Sequence, residues 1–514
     1  MPDQVKWAKN RRTDFIEFMR QEIWRVSGLR QPLEQKWRDW LELYRAPFDV
    51  RAVKTFPYEG ASNVRYPFAM MSVNPILANE MQVLHATDNL WTLSPLNAEW
   101  VPTSKPLQDY LEFVDRHVLH MWDVNKKALL EKLKLGTAIY KVGWEFRQNR
   151  TTGYDQTLNR TRFIRTLNRP VVDHVSLANF YIPPEANAID ADEPAGAQWV
   201  AEKMRMRPAV LKAKSVGQAP MYPNYDKEAV DRVLTYTEVA STEHEQKKRE
   251  LDRIGDGYSS AQEIEIYEIH ARFDTTGDGM EDDVIVTMHV KSGEILQAMY
   301  NPYAHGKRPY HKVGFIPGDG FYDIGVCEMS EVWQSTISEM LNTSIDKARL
   351  ANAPMIAFKE GANILPNEPI YPTKAWPMQD PKNDIAPFFL TDGRGNFDFA
   401  QLIGFLTEGG NEHVGVSSLR RGSLSALPSR TPATTVQTML TESNTLFDLS
   451  IKDERRSGLS RVGLQVLQLM QQQQGRPETG VSGQYIELAA MVLGDVFGHT
   501  CPKTSPRRCR NSVP

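Results

Sequence analysis

The chain has 514 residues, 41% of them hydrophobic and 24% charged, with a formal net charge of −4. That is enough polypeptide for about two to four compact units of ordinary soluble composition. No run approaches the ~18 apolar residues of a membrane span, and the opening MPDQVKWAKNRRTDF lacks the apolar core of a secretory signal, so synthesis and use in a cytosol are expected. The three cysteines, Cys327, Cys501 and Cys509, form no CxxC pair, which argues against a zinc ribbon, a redox motif and a disulfide framework. Tight DNA binding uses clustered Lys and Arg, so the net charge has the wrong sign for a protein that grips DNA. It leaves room for a duplex as a passing ligand, and equally for an ordinary acidic protein.

Residues 5–46 predict two helices split near Ser27-Gly28. Trp7, Phe15, Phe18, Met19 and Trp24 have rough helical spacing, as do Trp37, Trp40, Leu41 and Tyr44. The arginines and lysines between them make a basic face, either solvated or able to touch nucleic acid or a membrane. Residues 68–87 and 107–135 predict helices. Gly136 ends the second, and TAIYKVGWEF (137–146) reads as a strand. Further strands are expected at 170–182 and 196–206, and 225–260 is polar and charge-mixed. From 262 to 318, β-branched and aromatic residues in partial alternation predict one small antiparallel sheet, with a hairpin turn at Ser292-Gly293.

Residues 328–352 predict one long helix of roughly 35–40 Å. Its apolar face is expected at Met329, Val332, Trp333, Ile337, Met340, Leu341, Ile345 and Ala348, and Pro354 stops it. Seven prolines between 354 and 396 favour short edge strands and turns. A helix follows at about 397–414, then the Gly/Ser-rich loop GVSSLRRGSLSALPSR (415–430). Thr431-Pro432 opens another long helix, interrupted near Gly458 and running to about Gln474. The last fifteen or so residues are basic and read as a disordered tail.

Chemistry is sparse. Asp274, Asp278 and Asp282 lie in FDTTGDGMEDD (273–283), an acidic glycine-bearing stretch like part of a calcium loop. The full twelve-residue pattern is absent, because its last position falls on Ile285 and no helices flank it, so a hydrophilic hairpin turn is expected there and no metal. His305, His311 and Asp323 lack HExxH spacing, and neither a GxSxG elbow nor a GxxxxGK[ST] loop occurs. A non-enzymatic protein without cofactor is the expectation. The rivals are a metal-dependent hydrolase using the 274–283 carboxylates and a nucleic-acid-binding module using the basic helices at 6–45. Arg420, Arg421 and Arg430 sit in the flexible loop, where they either touch phosphate in passing or pair with acidic neighbours.

Four segments resemble portal proteins of tailed, podovirus-like bacteriophages: FPYEGASNVRYPFAMMSVNPI (56–76), LKLGTAIYKVGWEF (133–146), VDHVSLANFYIPPEANAIDAD (172–192), and most strongly the stretch from Tyr303 to Pro354. The resemblance spans roughly residues 50 to 460. It implies an α+β portal-type subunit: a mixed α/β wing (1–323), a first stem helix (324–353), a small clip (354–396), a second stem helix (397–414), a tunnel loop (415–433), a long helix with a small helical crown (434–498), and a tail (499–514). The short C-terminal part departs from portals that carry a large crown or barrel.

The same resemblance implies a homo-oligomeric ring of about twelve copies; two long helices whose apolar faces one chain covers poorly are consistent with it, since neighbours in a cyclic, head-to-tail interface would bury them. Such a ring stands at a capsid vertex of the virion, is assembled in the host cytoplasm, and passes double-stranded DNA in packaging and ejection. Its partners would be the major capsid protein, the large terminase and head–tail adaptor proteins, with no membrane. Trp333, Lys347 and Arg349 fall on the first stem helix, Tyr371, Trp376 and Phe388 on the clip, and Arg420, Arg421 and Arg430 on the tunnel loop. Another connector or adaptor ring of the same conduit is the closest alternative.

Overall fold

The computed structural model describes residues 4–46, 61–86, 90–93, 101–154, 160–216, 224–235, 243–252, 263–303, 306–352, 355–358, 385–388, 399–415 and 445–472. A 35-residue helix, α1 (Arg11–Arg45), opens the chain. It runs unbroken through Ser27-Gly28 and through Pro32, against the expectation of two helices. A glycine in a helix costs about 1 kcal/mol and a proline about 3 kcal/mol. Packing on two cores outweighs both. Phe15, Met19, Ile23 and Val26 pack with Trp199, Ile269, Val286 and Met288, whereas Trp37, Trp40 and Tyr44 pack with Phe68, Val73, Leu177 and Val326. Between them, buried Arg30 donates to the carbonyls of Phe180 and Ala178 and lies 4.0 Å from the Tyr181 ring, which fixes the helix where it would otherwise part. Trp24, expected on the apolar face, is 83% exposed.

Helix α2 (Phe68–Leu84) follows, then α3 (Val101–Val114) and α4 (Met121–Leu135). The single helix expected at 107–135 is broken between these two, by a π-turn at Asp115–Leu119 and a left-handed His120 with φ 53°. The wider turn rotates the register, so that Leu111, Val114, Leu119 and Met121 all reach one core. Gly136 ends α4 with φ +89°, and a Cβ there would stand 1.7 Å from the Asp323 carbonyl oxygen, so no other residue fits this corner.

The strands form two main sheets. β1 (Thr137–Tyr154) lies between β2 (Arg160–Val175) and β8 (Tyr310–Gly314), antiparallel to both. The second sheet has the order β3 (Phe180–Tyr181), β4 (Trp199–Met206), β5 (Ile264–Phe273), β6 (Asp282–His289) and β7 (Glu294–Tyr300), also antiparallel.

Two expectations are corrected here. The strand read at 170–182 is two: β2 stops at Val175, a 3₁₀ turn at Leu177–Asn179 intervenes, and β3 joins the other sheet. The block at 262–318 is not one sheet either. β5, β6 and β7 complete the five-stranded sheet, and β8 crosses to β1. Arg308 makes that crossing, donating to the carbonyls of Ile189, Ala197 and Gln198 at 2.6–2.8 Å. The turn at Ser292-Gly293 is present, with Gly293 at φ 75° and its amide on the His289 carbonyl. Short helices α5 (Pro208–Val216) and α6 (Lys227–Leu234) pack a fourth apolar cluster with Ile264, Ile266 and Leu296, and α7 (Glu243–Leu251) lies along α1.

Helix α8 (Val326–Asn352) has the expected extent. β9 (Met355–Phe358) and β10 (Ile385–Phe388) pair antiparallel, then come α9 (Phe399–Val414), α10 (Thr445–Asp453) and α11 (Ser460–Gln472). A π-turn at Glu454–Leu459 joins the last two, at the interruption expected near Gly458. A Cβ on Gly458 would meet Val313 at 2.2 Å, so the glycine lets this turn lie on β8.

Candidate functional site

Helix α8 buries a polar stripe beside an apolar face that is mostly half-buried, with Met329 and Trp333 packed on the core that holds Ile337. Gln334, Asn342 and Asp346 are each 7% exposed or less, while Val332 is 71% exposed and only Ile337 of the eight expected apolar residues is fully buried. With Ser338, those polar residues recur at every fourth position, hence on one face of the helix. They form a ladder that reads the main chain of 62–69. The amide of Ser62 donates to Asp346 Oδ1 at 2.7 Å, and Val64 exchanges two bonds with the Asn342 amide at 2.7 and 2.9 Å. The amides of Tyr66 and Ala69 donate to Ser338 Oγ and Gln334 Oε1 at 3.0 and 2.8 Å. Gln334 Nε2 then donates to the Leu43 carbonyl at the end of α1. Residues 62–67 belong to no strand, and the ladder supplies hydrogen bonds to their backbone.

The opposite flank of α8 meets α9 antiparallel. The Trp333 ring packs within about 3.5 Å of the positions a side chain would take on Gly409 and Gly410, and lies 6.1 Å from the His413 ring. Lys347 Nζ stands 5.4 Å from the Phe399 ring, and Arg349 is 3.8 Å from Asp346. Trp333 and Lys347 therefore serve the contact between the two helices. Phe405, on α9, is 73% exposed. Arg420, Arg421, Arg430, Tyr371 and Trp376 lie outside the described residues. Phe388 ends β10, in register with Met355.

The acidic turn is occupied by its own chain. Asp274 accepts from the amides of Gly277 and Gly279 at 2.6 and 3.1 Å and from Arg11 at 3.0 Å, and these donors hold its carboxyl below the usual range. Asp278 caps the amide of Met280, and Asp282 accepts from the Thr275 hydroxyl. Among the described residues no three His, Cys, Asp or Glu side chains are grouped to hold a metal.

Sequence reasoning missed a buried charge cluster. Lys132 Nζ on α4 lies 2.6 Å from Glu454 Oε2 and 3.2 Å from Glu80 Oε1, and Ser450 Oγ is shared between Lys132 and Glu80. The Tyr140 hydroxyl stands 3.4 Å from Glu454 and 3.2 Å from Asn125. Lys132, Glu80 and Glu454 are all at most 1% exposed. Burial pushes the Glu80 carboxyl up; Lys132 opposes that and Glu454 adds to it. Glu80 Oε2 has no hydrogen-bond partner. One lysine thus faces two buried carboxylates. Elements widely separated in sequence (α2, α4, β1 and α10) are tied together here.

The sequence profile of the family described as phage SU10 portal protein matches residues 150–497, well over half of the chain. The chain belongs to this family of phage portal proteins. Among curated proteins, none matches it. The portal family is structural in role, a virion component of the head–tail connector that serves DNA packaging and assembles as a ring with capsid and terminase. The observed mixture of helix and sheet agrees with its α+β class. Among the described residues, no helix of this portal is long and apolar enough to cross a membrane.

Proposed function

We propose that about twelve copies of this portal close into a ring at one capsid vertex, joined by cyclic head-to-tail interfaces. The match across residues 150–497 carries this reading. In it, residues 1–323 are the wing and face the major capsid protein. Helices α8 and α9, in 324–353 and 397–414, line a channel through which double-stranded DNA enters and leaves. The clip, 354–396, presents Tyr371, Trp376 and Phe388 first to the large terminase and later to head–tail adaptors. Residues 434–498 form the long helix and small crown, and 499–514 the tail. Assembly takes place in the host cytoplasm.

Two exposed side chains support a lateral contact between copies. Val332 on α8 and Phe405 on α9 are 71% and 73% exposed in the single chain. Changing an exposed residue alters subunit stability by about 0.5 kcal/mol at most, whereas a carboxylate placed in a closed interface has no partner. V332D with F405D should abolish rings in light scattering while leaving the melting temperature of the monomer nearly unchanged. Rings that persist in the double variant would remove these residues from the interface.

The loop 415–433 restrains packaged DNA against slipping back, through Arg420, Arg421 and Arg430 as sparse attractive points in a chain of net charge −4. R420A with R421A should lower DNA retention in filled heads, with ring assembly intact. Failure of those variants to form rings would assign the loop a structural role.

A further inference from the structure

The longest strand pairing in the molecule has no assigned task. β1 and β2 pair over sixteen consecutive positions, from Ile139↔Val175 to Tyr154↔Arg160. β8 accompanies β1 only over Thr137–Lys141. The base of this ribbon is fixed: Trp144 Nε1 donates to Asn168 at 2.5 Å, and Arg169 pairs with Glu145 and donates to the Val118 carbonyl. Beyond that point, positions 147–154 and 160–167 pair with each other alone among the described residues, a ribbon of about 25 Å.

That outer ribbon is basic. Between Arg147 and Asn168 the sequence carries five arginines, no lysine and one carboxylate, Asp155, in a chain of net charge −4. Residues paired across an antiparallel ladder share a face, and successive pairs alternate faces. The register therefore puts Arg147 and Arg165 on one face, and Arg150, Arg160 and Arg162 on the other. A ribbon made to lie flat on an acidic protein would confine its charges to one face. Here both faces carry arginine. Apart from Gly153, Phe163, Ile164 and Leu167, the positions between are Gln, Asn, Thr and Tyr, all side-chain types that hydrogen-bond to phosphate oxygens.

We propose that this arginine ribbon is a second nucleic-acid site, which binds double-stranded DNA through its phosphates, seated in a groove with a strand of the duplex on either side. The major groove, about 12 Å wide, admits a two-stranded ribbon. The site needs no base-specific contact. It is separate from the loop at 415–433 and does not depend on the channel reading.

The test uses the purified full chain and a short mixed-sequence duplex. If all five arginines neutralise phosphates, affinity falls on the order of several hundredfold between 50 and 200 mM salt. Changing Arg147, Arg150, Arg160, Arg162 and Arg165 together to glutamine should weaken low-salt binding at least tenfold and flatten the salt dependence. The five-lysine variant should retain both, and so should R420A with R421A, which separates the ribbon from the loop. Undiminished binding by the five-glutamine variant overturns the proposal and leaves the arginines as guards of an open sheet edge. A measurement on the unaltered chain stands beside it: the duplex should slow phenylglyoxal modification of the ribbon arginines, and polyglutamate should not. Equal protection by polyglutamate overturns the proposal in favour of an acidic protein partner.

Discussion

Replacing Lys132 with methionine is expected to lower the free energy of unfolding by about 3–5 kcal/mol, the usual cost of stripping one partner from a buried ion cluster. The side chains are similar in length, so little packing is lost. What remains is Glu80 and Glu454, both buried, with no cation between them. The chain would respond by loosening α10 from α2 and α4. Urea denaturation of wild type and K132M at neutral pH measures the loss, and a change under about 1 kcal/mol would show that the cluster contributes little.

Burial pushes the Glu80 carboxyl up. Its folded value is raised above the unfolded one, so the folded state binds a proton that the unfolded state releases. The stability due to that proton is present in full below the unfolded value and is lost as pH rises through the folded value. Glutamine mimics the protonated acid, so E80Q should cost at most about 1 kcal/mol and should remove this component of the decline at higher pH.

The second large effect is expected at Asn342. Leucine there removes the bonds to the Ser62 hydroxyl and to the amide and carbonyl of Val64. A buried backbone group left without a partner costs about 1–3 kcal/mol, so N342L should destabilise by about 2–4 kcal/mol. The 62–69 segment should become the first region to lose amide protection in hydrogen exchange. V332A on the same helix should change subunit stability by less than about 0.5 kcal/mol. If V332A proved the costlier of the two, the apolar-face reading of α8 would stand and the ladder would not.

These two sites show where the sequence could be read and where it could not. The extent of α8 follows from its composition and from Pro354 just beyond its end, but which residues are most deeply buried does not, because periodicity weighs apolar residues only. Gln334, Ser338, Asn342 and Asp346 look like a solvated stripe until the segment they serve is placed. That segment lies within FPYEGASNVRYPFAMMSVNPI (56–76), one of the stretches that carry the resemblance. Perfect fourfold spacing of hydrogen-bonding residues was the available signal. Lys132 gave less warning, since a lysine between Leu129 and Leu133 reads as the edge of an apolar face. Its partners Glu80 and Glu454 are 52 and 322 positions away.

The unbroken course of α1 is hidden from the sequence for a related reason. Gly28 and Pro32 are real local penalties, and only the contacts of Arg30 and of two separate cores outweigh them. The strand at 137–146 was recognised, but its continuation to Tyr154 was not. Arg147 and Arg150 are poor strand signals, and the partner that stabilises them begins at Arg160.

Images of the purified full-length chain by negative-stain electron microscopy test the central claim most directly. The account predicts closed annular particles of roughly twelve subunits with an axial opening wide enough for a duplex. Single-subunit particles at every concentration tried, with α8 and α9 covered by the chain's own body, would contradict it.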